Sequence, residues 1–109
     1  MDGQNFYFRS KLMKEPVDGE KITIFDCELG DPNYDALEKF IGADRVEDFA
    51  YVNRFEIKGN TVIYRYKHKN TRRYLCLDMD GNTWRYNGIY LKMEKISRDE
   101  AIMEAYENY

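Results

Sequence analysis

The residues best equipped for chemistry in this chain are cations and tyrosines. Arg54, Arg65, Lys67, Arg72, Arg73, Arg85 and Lys92 lie within one stretch, interleaved with Tyr74 and Tyr90. Guanidinium and ammonium groups pair with carboxylates or phosphates, while tyrosine rings supply packing area and stacking. A set of this kind binds rather than reacts. Tyr and Arg are enriched where protein partners meet, and cations mixed with aromatic rings also hold single-stranded nucleic acid. These nine residues form the expected partner-binding set.

Reactive constellations are hard to assemble from what remains. His68 is the single histidine, set between Lys67 and Lys69, and only Cys27 and Cys76 carry thiols. A zinc site needs three or four ligands, and a catalytic triad would have to be built on His68 with no nucleophile nearby in sequence. Asp78-Met79-Asp80-Gly81-Asn82 resembles the centre of an EF-hand loop. With Gly81 in the sixth position, the first ligand would be Cys76 and the twelfth Asn87, where acidic ligands belong. Carboxylates gather at Asp26, Glu28 and Asp31 and again at Asp44, Glu47 and Asp48, in settings that read as solvated surface. The glycines are spent on turns, leaving no phosphate-binding loop. The expectation is a protein without catalytic residues, metal ligands or cofactor.

Composition sets the frame. A chain of 109 residues suits one domain. A hydrophobic share of 43% supports a core, and ten tyrosines raise the aromatic share to 16%. No apolar run approaches the length of a membrane span, and Met1–Ser10 has neither the basic nor the apolar region of a signal peptide. Two cysteines are too few for a disulfide framework, so a reduced, cytoplasmic protein is expected. The net charge of −3 conceals a partition. Residues 51–96 hold ten Lys and Arg against four Asp and Glu, whereas residues 1–50 hold six against twelve. A basic centre between acidic flanks suits an anionic partner.

The elements that must carry these residues follow from the turns. Gly59-Asn60, Asn70-Thr71, Asp80-Gly81-Asn82 and Asn87-Gly88 divide residues 51–96 into a five-strand antiparallel meander. Asn70-Thr71 is the weakest signal, since Thr disfavours positive φ. Two-residue turns put Phe55 opposite Tyr64 and Ile57 opposite Val62. They also put Tyr66 opposite Leu75 and Tyr64 opposite Leu77, then Met79 opposite Trp84 and Trp84 opposite Leu91. One face is then apolar. The other carries Arg54, Ile63, Arg65, Lys67, Tyr74, Cys76, Asp78, Arg85, Tyr90 and Lys92, with Asp78 near Arg85 and Arg54 facing Arg65. Like charges directly opposite are destabilising, which marks this face for function.

Asn5–Met13 and Lys21–Glu28 read as an N-terminal hairpin. Asp31-Pro32 reads as the start of a helix that Gly42 closes. Ser97-Arg98-Asp99-Glu100 is a capping box for a last helix with Ala101, Ile102, Ala105, Tyr106 and Tyr109 along one side. The expected fold is an α+β domain: an antiparallel sheet, with both helices over one face. Its function is expected to be protein binding without catalysis, of the inhibitor, immunity or phage- and plasmid-encoded antagonist type. The basic face would dock an acidic partner. Single-stranded nucleic acid or a nucleotide is the alternative ligand, no membrane is expected, and an edge strand offers a route to a homodimer.

Overall fold

The structure is a computed structural model that describes residues 16–107. The expected strand Asn5–Met13 and the helical position Tyr109 lie outside the described residues. Six strands follow one another: β1 (Lys21–Glu28), β2 (Phe49–Ile57), β3 (Thr61–His68), β4 (Tyr74–Asp78), β5 (Thr83–Asn87) and β6 (Lys92–Ile96). Helix α1 (Asp35–Ile41) and a 3-10 turn (Ala43–Asp48) separate β1 from β2, and α2 (Arg98–Tyr106) follows β6.

The five strands of the meander are present, but the sheet does not stay open. β1 pairs with β6 through Lys21–Thr23 and with β2 through Ile24–Glu28, closing an antiparallel barrel. The register shifts between Ile24 and Asp26, a bulge that lets one strand serve two neighbours. Closure pairs the two strand edges that an open meander would have left free, so the edge-strand route to a homodimer has no edge there.

Closure also turns one face of the meander inward. Phe55, Ile57, Ile63, Cys76, Trp84 and Met93 fill the lumen, with Ile22, Ile24 and Tyr86 packed against them. A second core lies outside the strands. There α1 and α2 bury Ala36, Leu37, Phe40, Ala101 and Ala105 against Phe49, Tyr66, Leu75, Leu77 and Ile96. Ile63, Cys76 and Asp78, expected on a solvated face, are buried.

The registers explain the difference. β3 and β4 pair as expected, with Tyr66 opposite Leu75 and Tyr64 opposite Leu77. The loop Lys69–Arg72 is longer than two residues but preserves that register, and its positive φ falls on Arg72. At Gly59-Asn60 the loop is one residue longer, so Phe55 opposes Ile63 and Arg54 opposes Tyr64. The same register puts Asn53, not Arg54, opposite Arg65, and beyond it a bulge between Tyr51 and Asn53 brings Tyr51 opposite Tyr66. Beyond Asp78 the chain takes a wider turn, and Cys76 opposes Trp84. Trp84 opposes Lys95 rather than Leu91. A one-residue change in loop length exchanges the two faces of a strand.

Tyrosines tie the helices to the barrel. Tyr34, Tyr51 and Tyr66 meet edge-on or tilted at 5.9–6.3 Å. Their hydroxyls bond backbone: Tyr66 donates to the Asn33 carbonyl, Tyr51 donates to the Leu29 carbonyl, and Tyr34 accepts from the Tyr51 N–H. α1 starts later than expected. Asn33 Oδ1 accepts from the Asp35 N–H, and Asp31 makes no cap. Gly42 does end α1, at φ 97. Ser97 Oγ caps α2 by accepting from the Glu100 N–H. No described helix is long and apolar enough to cross a membrane.

Candidate functional site

Between β4 and β5 the ladder is short. Two pairs hold it, Cys76 with Trp84 and Leu77 with Thr83. Continuing that register would set Tyr74 opposite Tyr86. The strands part instead, and the Arg65 guanidinium reaches over from β3. It stacks 3.8 Å from the Tyr74 ring centroid and 5.0 Å from that of Tyr86. Lys67 Nζ stands 5.6 Å from the same Tyr74 ring. The parting opens a cleft of about 180 Å³ lined by Arg65, Arg73, Tyr74, Cys76, Trp84, Arg85, Tyr86 and Glu104.

Among the described residues, Arg65 is paired with no carboxylate, and its buried Nε has no hydrogen-bond partner. Three other arginines of the expected set are ion-paired, whereas Arg72 makes no ion pair among the described residues. Arg54 pairs with Glu28, which raises its pKa through the hydrogen bond between them. Arg73 lies 3.5 Å from Glu107. Arg85 pairs with Glu100 at 2.5 Å, with Glu94 at 3.6 Å and with Glu104. Asp78, the expected partner of Arg85, points elsewhere. Its carboxylate accepts from the Asp80 and Asn82 N–H groups, from the Asn82 amide and from the Trp84 indole, all at 2.9–3.1 Å.

The nine expected residues therefore divide. Arg65, Arg73, Tyr74 and Arg85 line the cleft, and Lys67 stands at its rim. Arg72 is exposed in the β3–β4 loop, beside Lys67 and Lys69 around a shallower hollow. Tyr90 projects from the β5–β6 loop, and Lys92 opens β6 beside Thr23. Arg54 lies on the opposite face of the strands from Arg65, because the longer β2–β3 loop sets it opposite Tyr64. Comparison with protein-family models, with curated proteins and with solved structures finds no match.

Trp84, Tyr86, Cys76 and Glu104 belong to the cleft but not to the expected set. The missed signal was Asp78: an Asx-type turn anchored on its side chain widens the β4–β5 connection and moves Trp84 and Tyr86 to the Cys76 face. Cys76 lies at the buried side of the cleft. Burial pushes its thiol up to about 12, so the nucleophilic thiolate is scarce at neutral pH. His68 ends β3 and holds the loop that follows it. Its Nδ1 accepts from the Asn70 and Thr71 N–H groups, and its ring packs against Phe49 and Tyr106.

Proposed function

We propose that this protein is a non-enzymatic binding domain that docks an acidic surface of another protein, with Arg65 as the central contact. The observation that carries the reading is Arg65 itself. It is a guanidinium held by two rings in an open cleft, with a buried Nε left unpartnered while its neighbours are ion-paired. Stacked guanidinium groups keep their planar edge free for a carboxylate. The paired arginines weigh against nucleic acid as the ligand. Tracking a phosphate backbone takes a row of uncommitted cations, and Arg54 and Arg85 are neutralised within the chain. Tyr74 already has Arg65 on its face, so that face is not open to a base. The chain is also acidic overall, at net −3, whereas nucleic-acid modules are basic.

The test is fluorescence anisotropy with two labelled probes, an oligoglutamate peptide and a single-stranded RNA, each at low and moderate salt. The expected result is binding of the peptide, lost in the charge reversal Arg65→Glu/Lys67→Glu, with a melting temperature close to that of the parent. RNA that binds and weakens steeply with salt would put the nucleic-acid reading in its place. Peptide binding unchanged by the double substitution would remove the cleft from the interface.

A further inference from the structure

The loop between β5 and β6 presents three large apolar residues in succession. Ile89, Tyr90 and Leu91 are 87, 70 and 57% exposed. Phe25, 65% exposed on β1, is brought near them because the Ile24 N–H donates to the Leu91 carbonyl at 3.0 Å. Single exposed apolar residues are ordinary, whereas a contiguous group marks an interaction surface.

The loop is also held in shape. Asn87 Oδ1 accepts from the Ile89 and Tyr90 N–H groups at 3.1 and 3.2 Å. Leu91 stands at φ 50, a left-handed conformation uncommon for a residue with a side chain. A loop fixed in advance loses little entropy when it binds.

The cleft and the loop meet at Tyr86. Its ring lines the cleft, and a Cβ on Gly88 would stand 3.2 Å from its hydroxyl. Two residues lie between Tyr86 and Ile89, a span of at most about 11 Å, which an extended peptide covers in about three or four residues. Resting on the reading above, we infer that cleft and loop form one composite docking surface for a protein segment in which an acidic residue lies close to a large apolar one. The carboxylate pairs with Arg65, and the apolar side chain packs on Ile89 and Leu91. Shape favours a protein segment over an anionic bilayer, because a flat surface does not enter the cleft that holds Arg65.

The experiment pans a displayed random-peptide library against the immobilised protein, against Arg65→Gln and against Ile89→Ser/Leu91→Ser. The parent is expected to enrich peptides with Asp or Glu within a few positions of an aromatic or large aliphatic residue. A synthetic peptide of that sequence should lose binding to Arg65→Gln and weaken roughly tenfold for the loop variant, whose substituted side chains are exposed. The Arg65 Nε–Hε resonance of the parent should shift as the peptide is added, a reading that needs no variant to fold. Acidic peptides indifferent to the loop variant would overturn the composite surface and leave the Arg65 reading standing. Peptides without acidic residues, or indifferent to Arg65→Gln, would overturn both. No enrichment would also overturn both, and sedimentation with phosphatidylserine vesicles would then assign the loop to a bilayer.

Discussion

Asp78 holds more of this structure than any charge in the expected binding set. One buried carboxylate accepts four hydrogen bonds and fixes both the β4–β5 turn and the Trp84 indole. Asp78→Ala leaves those donors unpaired, at a cost of about 1–3 kcal/mol for each one that stays buried. Urea unfolding should register a loss of about 3 kcal/mol or more, and a variant within about 0.5 kcal/mol of the parent would contradict this role. The sequence around Asp78 did signal a turn, through Asp80-Gly81-Asn82. The length of that turn was not legible, because it depends on backbone bonds to a side chain.

Buried acids make a second expectation at the same scale. Burial raises the Cys76 thiol from 9.0 to about 12, and burial also raises Tyr66 above 10.0. Both groups are neutral in the fold, so the stability they carry is complete below about pH 9. It is lost as the pH climbs through the folded values, because the unfolded chain ionises first. Each group contributes a slope of at most about 1.4 kcal/mol per pH unit. Unfolding free energy should be level between about pH 7 and 8.5 and fall above about pH 9. Cys76→Ala should be less stable at neutral pH but fall less steeply in the first alkaline unit. An identical slope would mean that the thiol is not protected.

Elements are held by ion pairs that composition alone cannot assign. Arg85 on β5 gathers Glu100 and Glu104 from α2 and Glu94 from β6. These contacts raise the Arg85 pKa, the hydrogen bond that Arg85 donates to Glu104 above all. The acidic side of α2 thus faces a strand rather than solvent alone. Arg98 makes the matching contact to α1, donating to the Phe40 carbonyl at 2.8 Å and lying over the Phe40 ring. Arg85→Ala should let α2 fray first. Amide hydrogen exchange of residues 98–106 should speed up while that of β3 stays slow, and uniform protection would contradict the clamp.

The capping box announced α2, and Gly42 announced the end of α1, because both are local signals. The start of α1 was misplaced, since Asp31-Pro32 resembled a cap, whereas the N-cap position is Tyr34 and Asn33 Oδ1 accepts from the Asp35 N–H. Faces were exchanged where loops departed from two residues by an odd number, and at β5–β6 a four-residue loop displaced along the chain kept the faces but moved Trp84 from Leu91 to Lys95. Register held at Lys69–Arg72, where two extra residues restore the same parity.

At the scale of the molecule, strand register and closure together decide what the basic residues can do. The expected registers would spread Arg54, Arg65, Lys67, Arg85 and Lys92 over one flat face. The observed registers divide them between the two faces of the strands, and a cleft opens where β4 and β5 part. The apolar runs Val62-Ile63-Tyr64 and Leu75-Cys76-Leu77 held a trace of closure, since strands apolar on both faces are buried on both. Closure itself was not legible, because it rests on β1 pairing with two strands far from it in sequence.

The central claim is that the Arg65 guanidinium is kept for a carboxylate from outside the chain. The most direct measurement follows the arginine Nε–Hε resonances of labelled protein during titration with the oligoglutamate peptide. The expected result is a saturable shift of the Arg65 signal, with those of Arg54 and Arg85 unmoved in their ion pairs. Shifts of equal size in all the arginines, or none in Arg65, would contradict it.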